Sequence, residues 1–373
     1  MTAELLAAAS DFERRRAQEL LARTPLLTER WPVLYPVSVW AHRARRRVEW
    51  TVRPRRWATL RQADPLPVRI VQHASPLRRQ LGDDEVDLQD NKIANLRLAT
   101  ATVDGLLIRP GETFSFNRVV GNCTARKGYV TGMRLRNGEA VSGVGGGLCQ
   151  LANLVHWLAL HSDLTVVERS EHSFDPFPDQ GRVLPWGTGV SIAYNYVDLV
   201  LRNDSDSTFQ LVVKVGQTDL EGELLTNRAQ PRSYTVYAAY ERFFRLSGEC
   251  FRANQLRRRV VDRATGTELA DELVRENCAL VKYLPTGVEI IDLHPGLRGH
   301  TRAVRRAPPA DPGLRGHTRL SRGLICPSSS GFRATPLAAP LISPVTPVDG
   351  RPVTAEVSAV ERPAPRCDPP TAR

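Results

Sequence analysis

Residues 143–162 read Gly-Val-Gly-Gly-Gly-Leu-Cys-Gln-Leu-Ala-Asn-Leu-Val-His-Trp-Leu-Ala-Leu-His-Ser. A glycine run ends at one cysteine, and there an apolar helical pattern begins. Leu151, Leu154, Val155, Leu158 and Ala159 recur at i, i+3, i+4, which predicts a buried amphipathic helix. Cys149 then falls in its first turn, where unpaired N–H groups and the positive dipole end favour an anion. A cysteine in that field ionises more easily, and the thiolate is the nucleophile. Gly145, Gly146 and Gly147 are expected to leave room for a substrate backbone, with Gln150 beside them.

Outward from this helix, residues 3–23 and 87–103 carry further helical patterns, the second with Ile93, Leu96 and Ala99 as its apolar stripe. Residues 66–75 alternate with period two, as a strand does. Asn137-Gly138 marks a hairpin turn. Residues 164–171 read as a strand leading to His172. Two later hairpins are expected, with turns at Asp204-Ser205 and at Ala264-Thr265-Gly266. Helices come first and strands dominate afterwards. The fold class is therefore α+β: N-terminal helices, then a mostly antiparallel sheet packed on the central helix that starts at Cys149. Residues 1–29 form an N-terminal helix, residues 30–292 the α+β domain and residues 293–373 a tail.

Five blocks recur in an order that carries a resemblance. They are NKIANLRLA (91–99), IRPGETFSFNRVVG (108–121), GVGGGLCQLANL (143–154), VVERSEHSFDPFP (166–178) and YNYVDLVLRNDSD (194–206). Together they resemble the VanW family, over roughly residues 30–290. The resemblance implies a link to cell-wall peptides and to glycopeptide resistance. Many members continue Gly-Gly-Gly-X-Cys-Gln with a small hydroxyl residue. This chain has Leu151-Ala152 there, so no role for that hydroxyl carries over.

Cys149 and His172 lie 23 residues apart, with one helix and one strand between them. A helix followed by an adjacent strand brings the strand's far end back towards the helix N-terminus. That gives a cysteine nucleophile its base, in a layout similar to papain-like and NlpC-type peptidases. Asp175, Asn195 and Asp198 are the candidates to orient the imidazole, and the sequence does not choose among them. Glu112 is a candidate acid or base, a group to bind a substrate amine, or a turn carboxylate bound to local N–H groups. Ser115, Asn117 and Arg97 are candidate ligand contacts; Arg97 would pair with a substrate carboxylate, with Glu112 or with a sheet acid. Two readings follow. One is a thiol-dependent hydrolase or acyl-transferase with an oxyanion hole at the helix N-terminus. The other is a module that holds a peptide-like or anionic ligand at the same place without chemistry.

The chain has 373 residues and a net charge of +11. Residues 293–373 hold 12 Arg against 5 acids, 14 of the 27 Pro and a single aromatic, Phe332. Such a segment cannot build a core, so disorder is expected. Without interleaved aromatics it suits no specific nucleic acid. Residues 31–57 hold four of the six Trp, with seven Arg against one acid. That composition suits peripheral association with an anionic membrane. It also suits a helix packed on the domain with its arginine face in water, or a nucleic-acid contact. No stretch is long and apolar enough to span a bilayer, and the N-terminus lacks a signal-peptide pattern. The expected location is cytoplasmic, with a peripheral place at the inner membrane face. No cofactor is expected: the glycines lack the lysine of a P-loop and the context of a dinucleotide site. No metal is expected either, because the cysteines form no CxxC pair and His156 and His161 are spaced i, i+5.

Overall fold

The computed structural model describes residues 3–24, 27–52, 55–78, 86–136, 139–176, 178–179, 183–293 and 302–303. Three helices open the chain: α1 (Ala3–Leu21), α2 (Leu27–Arg30) and α3 (Tyr35–Val52). Then follow β1 (Arg56–Trp57), β2 (Val68–Pro76), α4 (Val86–Val103), β3 (Leu106–Ile108), β4 (Glu112–Ser115) and the short α5 (Phe116–Val120). The hairpin β5 (Thr131–Arg136) and β6 (Glu139–Val144) leads into α6 (Cys149–Leu160). Its turn residues, Asn137 and Gly138, lie outside the described residues. The second half is nearly all strand: β7 (Leu164–Glu168), β8 (Phe174–Asp175), β9 (Val200–Asn203), β10 (Phe209–Val215) and β11 (Asp219–Thr226). It closes with β12 (Arg232–Leu246), β13 (Glu249–Asp262), β14 (Glu268–Val281), β15 (Ile290–Leu293) and β16 (Arg302–Ala303). The fold is α+β. Of the tail, Leu293 ends β15 and residues 302–303 form β16; the expectation of disorder falls otherwise outside the described residues.

Sheet order is β2-β11-β10-β3 in one sheet, β1-β4-β9-β7 in a second and β16-β15-β12-β13-β14-β8 in a third. Most pairs are antiparallel; β1–β4, β12–β15 and β14–β8 are parallel. Periodicity explains which faces meet. Phe209, Leu211 and Val213 alternate on β10 and enter the core. On α4 the buried apolar residues are Ile93, Leu96, Ala99 and Val103. Helix α6 is buried almost all round, so it forms the centre of this core. Burial of Leu151, Leu154 and Leu158 stabilises the fold by roughly 1.5–3 kcal/mol each. A Cβ at Gly222 on β11 would lie 2.8 Å from Leu154 Cδ2. The glycine thus lets the helix approach the sheet closely. A second core joins Ala17 of α1 to Phe244, Phe251 and Cys278 of the long third sheet.

The hairpin expected around Asp204-Ser205 does not form. Strand β9 pairs with β4 and β7, whereas β10 pairs with β11 and β3. The reason is tertiary. Asn203 Nδ2 donates to Ile108 O at 2.8 Å, and the segment between the strands carries the chain from one sheet to the other. The hairpin at residues 264–266 does form, as β13–β14. Phe116 and Asn117 open α5 instead of extending a strand, because Ser115 Oγ caps it by accepting from Arg118 N–H.

Candidate functional site

The glycine loop crosses from β6 to the N-terminus of α6. Gly145 has φ +74° and Gly147 φ +93°, the left-handed region where a Cβ is strained. Their missing side chains are also used internally. A Cβ at Gly146 would lie 2.2 Å from the backbone C and O of Gly132, and one at Gly145 would lie 2.7 Å from Cys123 Cβ. The Gly147 position is closed by Lys92 Cγ at 2.1 Å. The expectation of open space for a substrate backbone is thus corrected: the glycines permit close packing of the loop on its own protein. Asn95 on α4 fixes this arrangement. Its Nδ2 donates to Val130 O and Gly146 O, each at 3.0 Å, and its Oδ1 accepts from Val130 N–H. Gln150 is likewise engaged, donating to Ser75 Oγ at 2.9 Å and to Pro76 O at 3.0 Å.

An extended strap, residues 187–192, runs along α6. Two helix residues about one turn apart bond its backbone in reverse order. His156 Nδ1 donates to Thr188 O at 3.0 Å, and Asn153 Oδ1 accepts from Val190 N–H at 2.6 Å. Cys149, one turn earlier on the same face, lies near Ile192, whose backbone favours its thiolate. The spacing i, i+4, i+7 sets these side chains on one helix face, opposite alternate strap residues. On the strap's other side, Arg169 donates to Gly187 O and Gly189 O, and Ser191 Oγ lies 2.9 Å from His172 Nδ1. The His172 ring also passes over Gly189. Cys149 and His172 therefore border one strap; His172 bonds it through Ser191, and among the described residues no hydrogen bond joins the two side chains. Burial pushes the Cys149 thiol above its usual range; the Ile192 bond and Arg134 only partly offset this. This reverses the expectation of an easily ionised thiol, because desolvation outweighs the helix field.

Asp198 organises a second buried network. Its carboxylate accepts from Ser115 Oγ at 2.5 Å and from Asn117 N–H and Leu199 N–H at 2.9 Å each. Asn117 Nδ2 donates onward to Ala193 O and Val197 O. Burial raises Asp198 to about 7, against the pull of those donors. Asn195 has φ +64° and donates to Arg43 O of α3. Asp175 is bonded to Arg252 at 3.2 Å and Tyr283 at 3.0 Å. The partner of the His172 ring is thus Ser191, and not one of the three carboxylate or amide candidates. Glu112 is a turn carboxylate: it accepts from Arg109 N–H and Nε at 2.9 Å each, in a turn whose Gly111 has φ +74°. Arg97 is exposed on α4, and the side-chain bonds of Glu112 go to Arg109.

Asn95, Asn153, Arg169 and Ser191 are the residues that sequence reasoning passed over as site members. Asn153 and His156 were legible as polar interruptions of an apolar helix, at i+4 and i+7 from Cys149. Among the described residues no group of three His, Cys, Asp or Glu could hold a metal ion. A cleft of about 990 Å³ lies elsewhere, between His73, Trp157, Leu184 and side chains of β10 and β11.

These environments set a pH dependence. Burial lowers His172 to about 4, His161 to about 4 and His156 to about 3; Arg169 adds to the fall at His172 and His156. An unfolded histidine titrates near 6.5, so below that pH the unfolded chain binds protons that the folded chain refuses. The stability these rings contribute is present above pH 6.5 and is lost towards pH 4. Asp198 runs the other way, since its raised group favours the folded state below its ordinary range and loses that contribution towards pH 7. Three rings outweigh one carboxylate. The urea midpoint should fall steadily from pH 7 to pH 5, and His172→Gln should flatten that fall. A midpoint that rises on acidification would contradict the assignment.

The family model described as "VanW like protein" matches residues 91–225. The vancomycin B-type resistance protein VanW of Enterococcus faecalis is 34% identical over 203 residues, which cover 54% of this chain and 74% of that protein. The protein YoaR of Bacillus subtilis is 36% identical over 96 residues, 25% of this chain and 32% of its own length. No solved structure matches. The matched region contains the glycine loop, α6, the strap and the Asp198 network, and the chain belongs to the VanW family.

Proposed function

We propose that this domain is a non-catalytic binding module for a cell-wall peptide precursor, whose carboxylate docks on the outer side of the packed loop that leads into α6, where Arg134 is exposed. The observation that carries the reading is that His172 is turned to Ser191, at 2.9 Å, and not to Cys149, whose thiol desolvation shifts upward. A nucleophile needs the opposite shift and a bonded base. An anion needs only the helix end and nearby cations. Arg134, whose charge acts on Cys149, is exposed beside the loop and supplies one. The peptide class rests on the resistance named for the enterococcal relative. Free thiols at Cys123, Cys149, Cys250 and Cys278 fit a reducing compartment, so we place the domain on the cytoplasmic side.

Titration with a cell-wall stem peptide bearing a free C-terminal carboxylate, and with its amide, tests the reading. The carboxylate form should bind more tightly. Arg134→Ala should weaken it about tenfold, as loss of a charge-assisted bond does, and Cys149→Ser should leave affinity nearly unchanged. Iodoacetamide should modify Cys149 more slowly than a free thiol at neutral pH. Rapid alkylation at pH 7, or turnover of the peptide that Cys149→Ser abolishes, would establish the thiol enzyme instead.

A further inference from the structure

Helix α3 is mounted with its polar face inward. Arg46 donates to Glu168 at 2.7 Å and to Tyr196 O at 3.2 Å. His42 stacks on Tyr196 with ring centroids 5.4 Å apart, and Arg43 lies over Tyr194. Trp50 meets Trp57 edge to face at 6.1 Å, and Arg118 lies over both rings. At 100° per residue, His42, Arg43, Glu49 and Trp50 fall within about 60° of Arg46. Val37, Ala44 and Val48 fall within about 20° of the opposite side, and Trp40 and Val52 within about 60° of it. That outward stripe is in solvent: Val37 is 61% exposed, Trp40 71% and Val52 70%. Exposed Trp31 and Val33 carry it around the corner into the preceding turn. No residue of α3 is fully buried.

A surface helix ordinarily does the reverse, hiding its apolar stripe and wetting its charges. Here an apolar stripe runs the length of the helix, and exposed Arg45 and Arg47 border it on its two sides. Neither makes an ion pair with a described residue. We propose that this face docks on an anionic phospholipid bilayer. The aliphatic stripe would enter the interfacial region, Trp31 and Trp40 would lie at headgroup depth, and Arg45 and Arg47 would meet lipid phosphate. Charge selects this occupant over a second copy of the chain. A twofold contact through the same face would bring like-charged borders together, whereas lipid phosphate neutralises them. Among the described residues no helix is long and apolar enough to cross a membrane, so α3 lies on the bilayer and does not span it. The inference is independent of what the α6 site binds.

The test is flotation of the full chain with phosphatidylcholine vesicles that contain or lack phosphatidylglycerol. The chain should float with the anionic vesicles and not with phosphatidylcholine alone, and salt near ~0.5 M should release it. The double variant Val37→Asp/Val48→Asp should lose binding by at least about tenfold while keeping the wild-type melting profile, since both side chains are in water. Binding that ignores lipid charge, binding that survives the double variant, or no binding at all overturns the proposal. So does a dimer in sedimentation that the two aspartates return to monomer without any vesicle binding, which would assign the stripe to a second copy.

Discussion

Gly146→Ala should cost the domain more than about 3 kcal/mol and give insoluble or unfolded protein. The added Cβ would lie 2.2 Å from Gly132 C and O and 2.7 Å from Met133 N, all backbone of β5. That strand is paired with β6 through Thr131–Val144 and Gly132–Gly143. It cannot retreat without breaking the hairpin or the Asn95 bonds that hold the loop. Gly143→Ala is the control. Its Cβ would meet the Arg134 side chain at 3.0–3.4 Å, which can swing away, so the cost should stay below about 1 kcal/mol. Urea unfolding of the two variants side by side decides the matter. Equal stabilities would mean that the loop is free to move, and the account of close internal packing would fail.

Asp198→Ala should be comparably severe, at about 3–5 kcal/mol, because it strands three buried donors at once. Ser115 Oγ, Asn117 N–H and Leu199 N–H would all lose their acceptor. The damage should spread, since Asn117 also holds the carbonyls of Ala193 and Val197 and so the chain entering β9. Ser115→Ala removes one of these donors but also the α5 cap that Arg118 N–H uses, and should cost less, about 1–2 kcal/mol. Asp198→Asn should fall between them and should remove the part of the pH dependence that runs from about 4 to about 7. If Asp198→Ala unfolds at the wild-type urea concentration, the network contributes nothing to the fold.

Local pattern determined much of this protein. The apolar stripes of α4 and α6, the alternation over residues 66–75 and the turn at Gly266 each depend on residues a few positions apart. Side-chain direction repeats with the backbone period, and those elements form as read. The residues that matter at the loop were also visible as types: glycines, one cysteine, Gln150, Asp198 and His172. Their roles were not, because each is set by a segment far away in sequence. Gly146 is required by Gly132, the Cys149 thiol is governed by desolvation in the assembled fold, and Glu112 is taken by Arg109. The pairing of β9 and β10 with different sheets is non-local in the same way. The composition of residues 31–57 could not say which face of α3 is outward, since a helix has the same moment whichever side it docks. Glu168 and Tyr196, more than a hundred residues on, draw Arg46 inward and thereby turn Val37 and Trp40 to the outside. Sequence fixes which face of an element is apolar; only the assembled chain decides what that face meets and how much water each polar group keeps.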